Sequence, residues 1–278
     1  MRRSRLISLV AALVLSGAAP AMAEGPSRVV SMNLCTDQLA LLVADPGQIV
    51  SVSKLGADPM SSAMPEAARG YPLNSGQAEE IFLMRPDLVL AGRFSDPATV
   101  DMLRRLGVRV ERFDLTRRLD EVPDRLRQMG QALGREARAE ALIAEFEANL
   151  ARLGGDDTMR PEAAFFYANG YTQGAGTLSD DILTHAGFAN LSARLGKSGG
   201  GRLALEQLVM ADPDLLIVSR PYPATSRAEE VMAHPALRAT RAAAVPMFSG
   251  PDWVCGTPHV LRAVARMDAR RRTLSGDE

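Results

Sequence analysis

Glu79-Glu80-Ile81-Phe82-Leu83-Met84-Arg85-Pro86-Asp87-Leu88-Val89-Leu90 and Glu206-Gln207-Leu208-Val209-Met210-Ala211-Asp212-Pro213-Asp214-Leu215-Leu216-Ile217 are two copies of one pattern, 127 residues apart. Each reads as a helix, a proline break and a buried strand. The residue before a proline is pushed out of the α region, which ends the helix. An unbroken apolar run after the proline suits a strand covered on both faces. Helix–proline–strand is a common connection, so one copy alone carries little. Two copies with the same Glu-to-Pro spacing, separated by a long helical stretch, predict two similar α/β lobes.

The chain around these copies has the same texture. Strands are expected at 28–32, 49–53, 87–91 and 108–113 in the first half, and at 163–168, 215–219 and 245–249 in the second. Helices alternate with them, at 36–43, 78–84, 98–106, 178–186, 205–210 and 258–267, and this alternation is the mark of parallel α/β sheets. Between the halves, Leu119 to Leu153 is nearly all helix formers, broken at Pro123 and Gly134. Leu142, Phe146, Leu150 and Leu153 form one apolar stripe. A helix over 135–153 is long enough to act as a strut, and Gly154-Gly155-Asp156-Asp157 ends it. The expected organisation is a first lobe over 24–117, a connecting helical segment over 118–157 and a second lobe over 158–278, with the tail from Ala269 frayed.

Composition narrows the function classes. With 46% hydrophobic and 23% charged residues over 278 positions, the chain can build a substantial core. The formal charge of −1 argues against a nucleic-acid binder. Arg2, Arg3 and Arg5 precede an apolar run from Leu6 to Leu15, and Ala21-Met22-Ala23 fits a small-x-small cleavage site. Residues 1–23 therefore read as a secretory signal peptide. They hold three of the 32 basic residues and no acid, so the exported remainder has a net charge of −4.

In open parallel sheets, ligands bind beyond the carboxyl ends of the strands. Those ends gather Asn33, Cys35, Arg93, Phe94, Asn169, Tyr171, Arg220, Tyr222, Asp252 and Trp253, the candidate ligand-binding residues. Amphipathic rings suit a large ligand with apolar faces and a polar rim. Arg93 and Arg220 follow the two repeat strands at equivalent places, where guanidinium forks could clasp an anionic complex. Two ordinary surface arginines are the alternative.

These residues resemble the periplasmic substrate-binding proteins of ABC importers, in the family that captures iron–siderophore complexes, haem and vitamin B12. The resemblance rests on Arg28-Val29-Val30-Ser31-Met32-Asn33, on the Pro-Asp-Leu strands at Pro86 and Pro213, and on Ser249-Gly250-Pro251-Asp252-Trp253. It implies two Rossmann-like lobes with parallel sheets, joined by a single long connecting helix, with the ligand cleft between them. It further implies a monomer with no cofactor and no catalytic residues. Such a protein would deliver an iron(III) chelate or a corrinoid to an inner-membrane permease–ATPase complex. Acidic residues on top of each lobe would dock on the permease, and Asp96, Glu229 and Glu230 are the candidates.

Other chemistries are weaker. Bare-metal capture needs imidazoles and carboxylates from both sides of a cleft, and the exported chain has only His185, His234 and His259, all in the second half. Haem would want an axial histidine or tyrosine. Tyr71 lies close to where haem-binding relatives place a tyrosine, one residue out of register. Asp252-Trp253 favours vitamin B12, whereas Arg93-Phe94 and Asn74-Ser75 supply fewer rings than the vitamin-binding relatives. Gly196-Lys197-Ser198-Gly199-Gly200 satisfies the G-x-S-x-G pattern of hydrolases. That elbow needs a strand before it and a helix after it, and neither is expected here. Cys35 and Cys255 are each expected at the cleft mouth, either as a disulfide tying the lobes, as thiols touching ligand or metal, or as inert buried cysteines.

Overall fold

A computed structural model describes residues 25–154, 160–220, 227–244 and 246–276. The expected signal peptide lies outside the described residues. The first lobe runs β1 (Val29–Ser31), α1 (Leu34–Val43), β2 (Ile49–Ser53), α2 (Pro65–Ala68), β3 (Leu73–Asn74), α3 (Ala78–Leu83), β4 (Leu88–Gly92), α4 (Pro97–Arg105), β5 (Val110–Phe113) and α5 (Val122–Leu133). A connecting helix α6 (Glu136–Leu150) leads to the second lobe: β6 (Glu162–Phe165), β7 (Tyr171–Gln173), α7 (Leu178–His185), β8 (Ala189–Asn190), α8 (Leu191–Arg194), β9 (Gly200–Arg202), α9 (Leu205–Ala211), β10 (Leu215–Val218), α10 (Pro235–Arg238), β11 (Met247–Phe248) and α11 (Val260–Ser275).

Two all-parallel sheets result, with strand orders β3-β2-β1-β4-β5 and β11-β10-β6-β8. In each, the chain winds outward one way, returns, and continues the other way. The order therefore reverses between β1 and β4 in one lobe and between β6 and β10 in the other. β7 and β9 form a separate antiparallel ribbon in the second lobe.

The repeat is a working part of both sheets. Asp87 donates its N–H to the Arg28 carbonyl (3.0 Å) and accepts the Arg28 N–H on its carboxylate (3.0 Å). Asp214 makes the same reciprocal pair with Glu162, at 2.9 and 2.8 Å. Each aspartate thus locks the start of its own strand, β4 or β10, to the start of the neighbouring strand, β1 or β6. Arg85 and Asp212, the residues before the prolines, leave the helix through the left-handed region (φ 50° and 44°) instead of the extended one. Asp212 recovers part of that cost by accepting the Arg241 N–H (2.8 Å) and pairing with its guanidinium.

The helical stretch between the lobes is two helices, turned at Gly134, whose φ of +66° suits glycine. α5 packs against α1, and its Leu126, Met129 and Leu133 belong to the first-lobe core, so α6 alone is the connector. The single buried cluster that holds these residues continues through Phe146 of α6 to Phe165, Ile182 and Val264 of the second lobe. The tail expected to fray is helical through Ser275, because Asp268 pairs with Arg271 and Arg272 one turn on. Four short strands went unexpected, β3, β7, β8 and β9. Two or three residues give no periodicity to read.

Cys35 and Cys255 form a disulfide between the lobes, with Cα atoms 5.2 Å apart. Beside it, Gly256 presses on Thr116, where any Cβ would fall about 2.1 Å from the threonine side chain. The Thr257 hydroxyl lies 3.4 Å from Gln38 Oε1. Asp181 of α7 accepts the Leu119 N–H at 2.7 Å. Beneath the bridge, the buried Asp37 of α1 accepts the N–H and hydroxyl of Ser53 and so fixes α1 to the end of β2. Burial pushes its carboxyl up to about 7, against the lowering effect of hydrogen bonds from Ser31 and Ser53.

Three outcomes follow for folding and motion. Small-angle scattering should show almost no change in radius of gyration on ligand addition, and a large contraction would refute the shared core as a rigid connection. Cys255→Ser should leave Cys35 open to thiol labelling and lower the melting temperature. Closing a loop of 220 residues contributes roughly 5 kcal/mol on the chain-entropy model. Asp37 binds its proton more tightly folded than unfolded, so its contribution to stability is greatest in acid and is lost as pH rises from about 4 to about 7. Asp37→Asn should flatten that fall, with a gain at pH 8 of no more than ~4 kcal/mol. Parallel melting curves for both proteins across pH 4–8 would refute the assignment.

Candidate functional site

The strand order reverses at the points where Asn33 follows β1 and Arg93 follows β4. Asn33 caps α1, its side chain accepting the Cys35 N–H at 3.0 Å. Gly92 is required beside it, since a Cβ there would stand 2.7 Å from the asparagine side chain. Above this contact lies a hollow of about 300 Å3, lined by Asn33, Cys35, Arg93, Phe94, Thr116 and Arg125 from the first lobe and by Val254 and Gly256 from the second. Phe94 is 78% exposed. Arg93 pairs with Asp114 at 3.1 Å.

A second hollow of about 540 Å3 opens at the ends of β10 and β11, lined by Arg220, Phe248, Ser249, Asp252, Val254 and Arg266. Pro59 and Met60 of the first lobe close its far side. Val254 lines both hollows, so the segment that carries Cys255 forms a ridge between them. Six of the large apolar side chains exposed among the described residues line these two hollows: Leu55, Met60, Phe94, Leu115, Phe248 and Val254. Five of the sequence-derived candidates therefore face the inter-lobe cleft, namely Asn33, Cys35, Arg93 and Phe94 on one side, joined by Arg220 on the other. Cys35 does so as half of a disulfide, so neither a free thiol nor an inert buried one describes it.

Three candidates are placed otherwise, and a fourth, Asp252, lines the second hollow with its carboxylate committed to an ion pair. Trp253 is only 5% exposed and packs edge-on against Phe165 at 5.6 Å, so its indole is part of the core. Asp252, also 5% exposed, is held by Arg266 at 2.8 Å, and its carboxylate serves that ion pair. The stretch Pro251–Trp253 is a tight 3-10 turn that tucks both side chains under the sheet end. Asn169 adopts left-handed φ (56°) and lines a different hollow, about 470 Å3, with Arg202, Gln207 and Arg227 of the same lobe. Tyr171 lies on the β7–β9 ribbon, stacked on Tyr167 at 6.4 Å, and lines neither cleft hollow. Tyr222 lies outside the described residues.

The groups behind the cleft are structural. Tyr167 is pushed up to about 12 by burial, partly offset by its hydrogen bond with Ser249. Burial also lowers His259, helped by Arg262 and opposed by Asp252. His185 bonds the Leu153 carbonyl at 2.8 Å, and His234 caps α10 through Nδ1. Tyr71 packs against the core instead of facing the cleft. Among the described residues, no three His, Cys, Asp or Glu side chains converge to hold a metal ion.

Ser198 sits in a glycine-rich turn that bridges Ala175 and runs into β9, with no helix after it. The glycines serve close approach: a Cβ on Gly200 would stand 1.9 Å from the Tyr171 hydroxyl. The pattern carries no elbow.

Among the docking candidates, Asp96 is the N-cap of α4, and its carboxylate accepts the Thr99 N–H (2.8 Å) and hydroxyl (2.9 Å), which hold it below the usual range. Glu229 and Glu230 lie in a short turn after β10. The repeat offers a pair that the sequence reading passed over. Glu79 and Glu206 occupy the same place in the first turns of α3 and α9, and both are exposed. Their matched position in the two copies was the available signal.

A further hollow, about 830 Å3 between α3 and α4, is lined by the first lobe alone. The two cleft hollows, in contrast, are lined by both lobes. A vitamin B12-binding protein of Salmonella typhimurium is 25% identical over 200 residues, covering 69% of this chain and 72% of the relative. The apo periplasmic haem-binding protein RhuT of Roseiflexus sp. RS-1 superposes with a TM-score of 0.75 at 23% identity, over 90% of this chain and 99% of its own. The vitamin B12-binding protein BtuF of Vibrio cholerae gives 0.66 at 17% identity, over 90% and 98%. Residues 29–245 match the periplasmic binding protein family as a whole, and the chain belongs to that family.

Proposed function

We propose that this protein is the solute-binding component of an ABC importer, exported to the periplasm, which captures an iron(III) chelate or a corrinoid and hands it to a membrane permease. The carrying observation is the cleft itself. Arg220, and Arg93 with its partner Asp114, follow the two repeat strands on either side of a ridge fringed with exposed apolar side chains. Such a surface desolvates the faces of a large ligand and pairs with its oxygens at the rim. Relatives of similar fold are named for vitamin B12, haem and ferric hydroxamate, which supports this ligand class.

Capture needs no turnover on this reading, and the Ser198 turn gives a hydrolase nothing to work with. With the lobes pinned together, binding is closer to docking into a preformed cradle than to closing a jaw, which limits the ordering cost of association.

Native mass spectrometry of the protein purified from its own periplasm should find a stoichiometric metal chelate or corrinoid. Phe94→Ala combined with Arg220→Gln should weaken that ligand at least tenfold while leaving the melting temperature within ~2 °C. An unchanged affinity would place the ligand elsewhere. For docking, charge reversal at Asp96 with Glu229 and Glu230, and separately at Glu79 with Glu206, should cut uptake without altering ligand affinity. Exposed single pairs contribute ~0–1 kcal/mol, so both lobes must be changed together. Loss of affinity in either set would move those acids into the cleft.

A further inference from the structure

Arg125 is a cation that the reading above leaves without a task. It lies near the N-terminus of α5, half-buried, and lines the smaller hollow with Asn33, Phe94, Thr116 and Val254. Its Nη1 donates to the Gln128 side chain at 2.9 Å, a neutral partner. The nearby carboxylates are engaged with other groups. Asp114 pairs with Arg93, Asp124 with Arg127 and Asp120 with Arg118. Glu121 accepts the Arg117 N–H and Glu111 accepts the Gln128 amide. Among the described residues, no acid neutralises Arg125.

Its Nε is buried with no acceptor at all. A sealed donor left unmade is costly. A guanidinium cannot shed its proton to escape that cost. The start of a helix carries the positive end of its dipole, which adds to the penalty on a cation. An anion entering the hollow meets the uncompensated charge and the helix dipole where Arg125 lines it, although the sealed Nε itself stays out of reach.

We propose that this hollow receives a carboxylate arm of the ligand, with Arg125 as its counter-ion. The inference rests on the importer reading above and adds a preference for acidic ligands over neutral ones. At about 300 Å3 the hollow holds a side arm and not a whole chelate, and the bulk of the ligand would lie over the Val254 ridge. Arg93 is already paired, so Arg125 is the open cation on the first-lobe side.

The test is calorimetric titration of wild type, Arg125→Gln and Arg125→Lys with four probes: ferric citrate and haemin, which carry carboxylates, and ferrichrome and cyanocobalamin, which carry none. Wild type should bind a carboxylate probe, and Arg125→Gln should weaken it at least tenfold. Arg125→Lys, which keeps the charge without the fork, should lose less than Arg125→Gln. It also keeps the test decisive if the glutamine variant does not fold. Binding of the carboxylate probe should weaken steeply between 50 and 500 mM salt. A wild type that binds only a neutral probe overturns this inference and leaves the importer reading standing. Equal losses for acidic and neutral probes also overturn it. A folded wild type that binds none of the four overturns both.

Discussion

The Cys35–Cys255 bridge is the constraint around which the cleft is built. It joins the first helix of one lobe to the loop after the last strand of the other. A cross-link there fixes the separation of the two sheet ends, and with it the width available to a ligand. It also holds the 254–257 segment across the opening, where Val254 divides one cleft into two hollows. Without the bridge, Gly256 against Thr116 and Thr257 against Gln38 would be modest contacts between two polar surfaces. With it, Gly256 and Thr116 are held together as part of the lining of the smaller hollow.

The lobes it joins are similar because each is assembled by the same device. A proline ends a helix, and the next residue, an aspartate, fastens the following strand to the one beside it through a reciprocal backbone and carboxylate pair. Parallel neighbours have no hairpin to set their register, so a side chain that grips both strands at their starts does that work. The same register places Arg93 and Arg220 at matching strand ends. The site's near-symmetry is a consequence of strand pairing.

What was legible in the sequence follows from which signals are local. Long apolar runs after Pro86 and Pro213 marked β4 and β10, and the stripe at Leu142, Phe146 and Leu150 marked α6, because burial repeats over many residues. The five-residue β2 was placed at its own bounds. β3, β7, β8 and β9 were invisible, since strands of two or three residues leave no pattern. At the candidate site, the sheet-end rule placed Asn33, Arg93, Phe94 and Arg220 beside the inter-lobe hollows from position alone. It did not foresee that Trp253 packs into the core or that Asp252 is held by Arg266, because a loop residue's distance from the strand end does not say which way a 3-10 turn will point it. Arg125 was missed for a similar reason: it sits on a helix that faces the cleft only through the tertiary packing of α5 on α1.

Charge gives the arrangement its selectivity. The chain carries a formal charge of −1, yet the cleft collects arginines from both lobes. Arg93 and Arg266 are held by Asp114 and Asp252, which spends their charge on rigidity. Among the described residues Arg125 and Arg220 have no such partner, and they stand on opposite sides of the Val254 ridge. Water screens them only partly in a walled cleft, so each favours an anion more than a free surface arginine would. A jaw that closes can adapt to the spacing of its ligand's charges. Two lobes held by a disulfide and a continuous core cannot, so on the proposed reading the distance between the two open cations would act as a gauge of the spacing of a ligand's acidic groups.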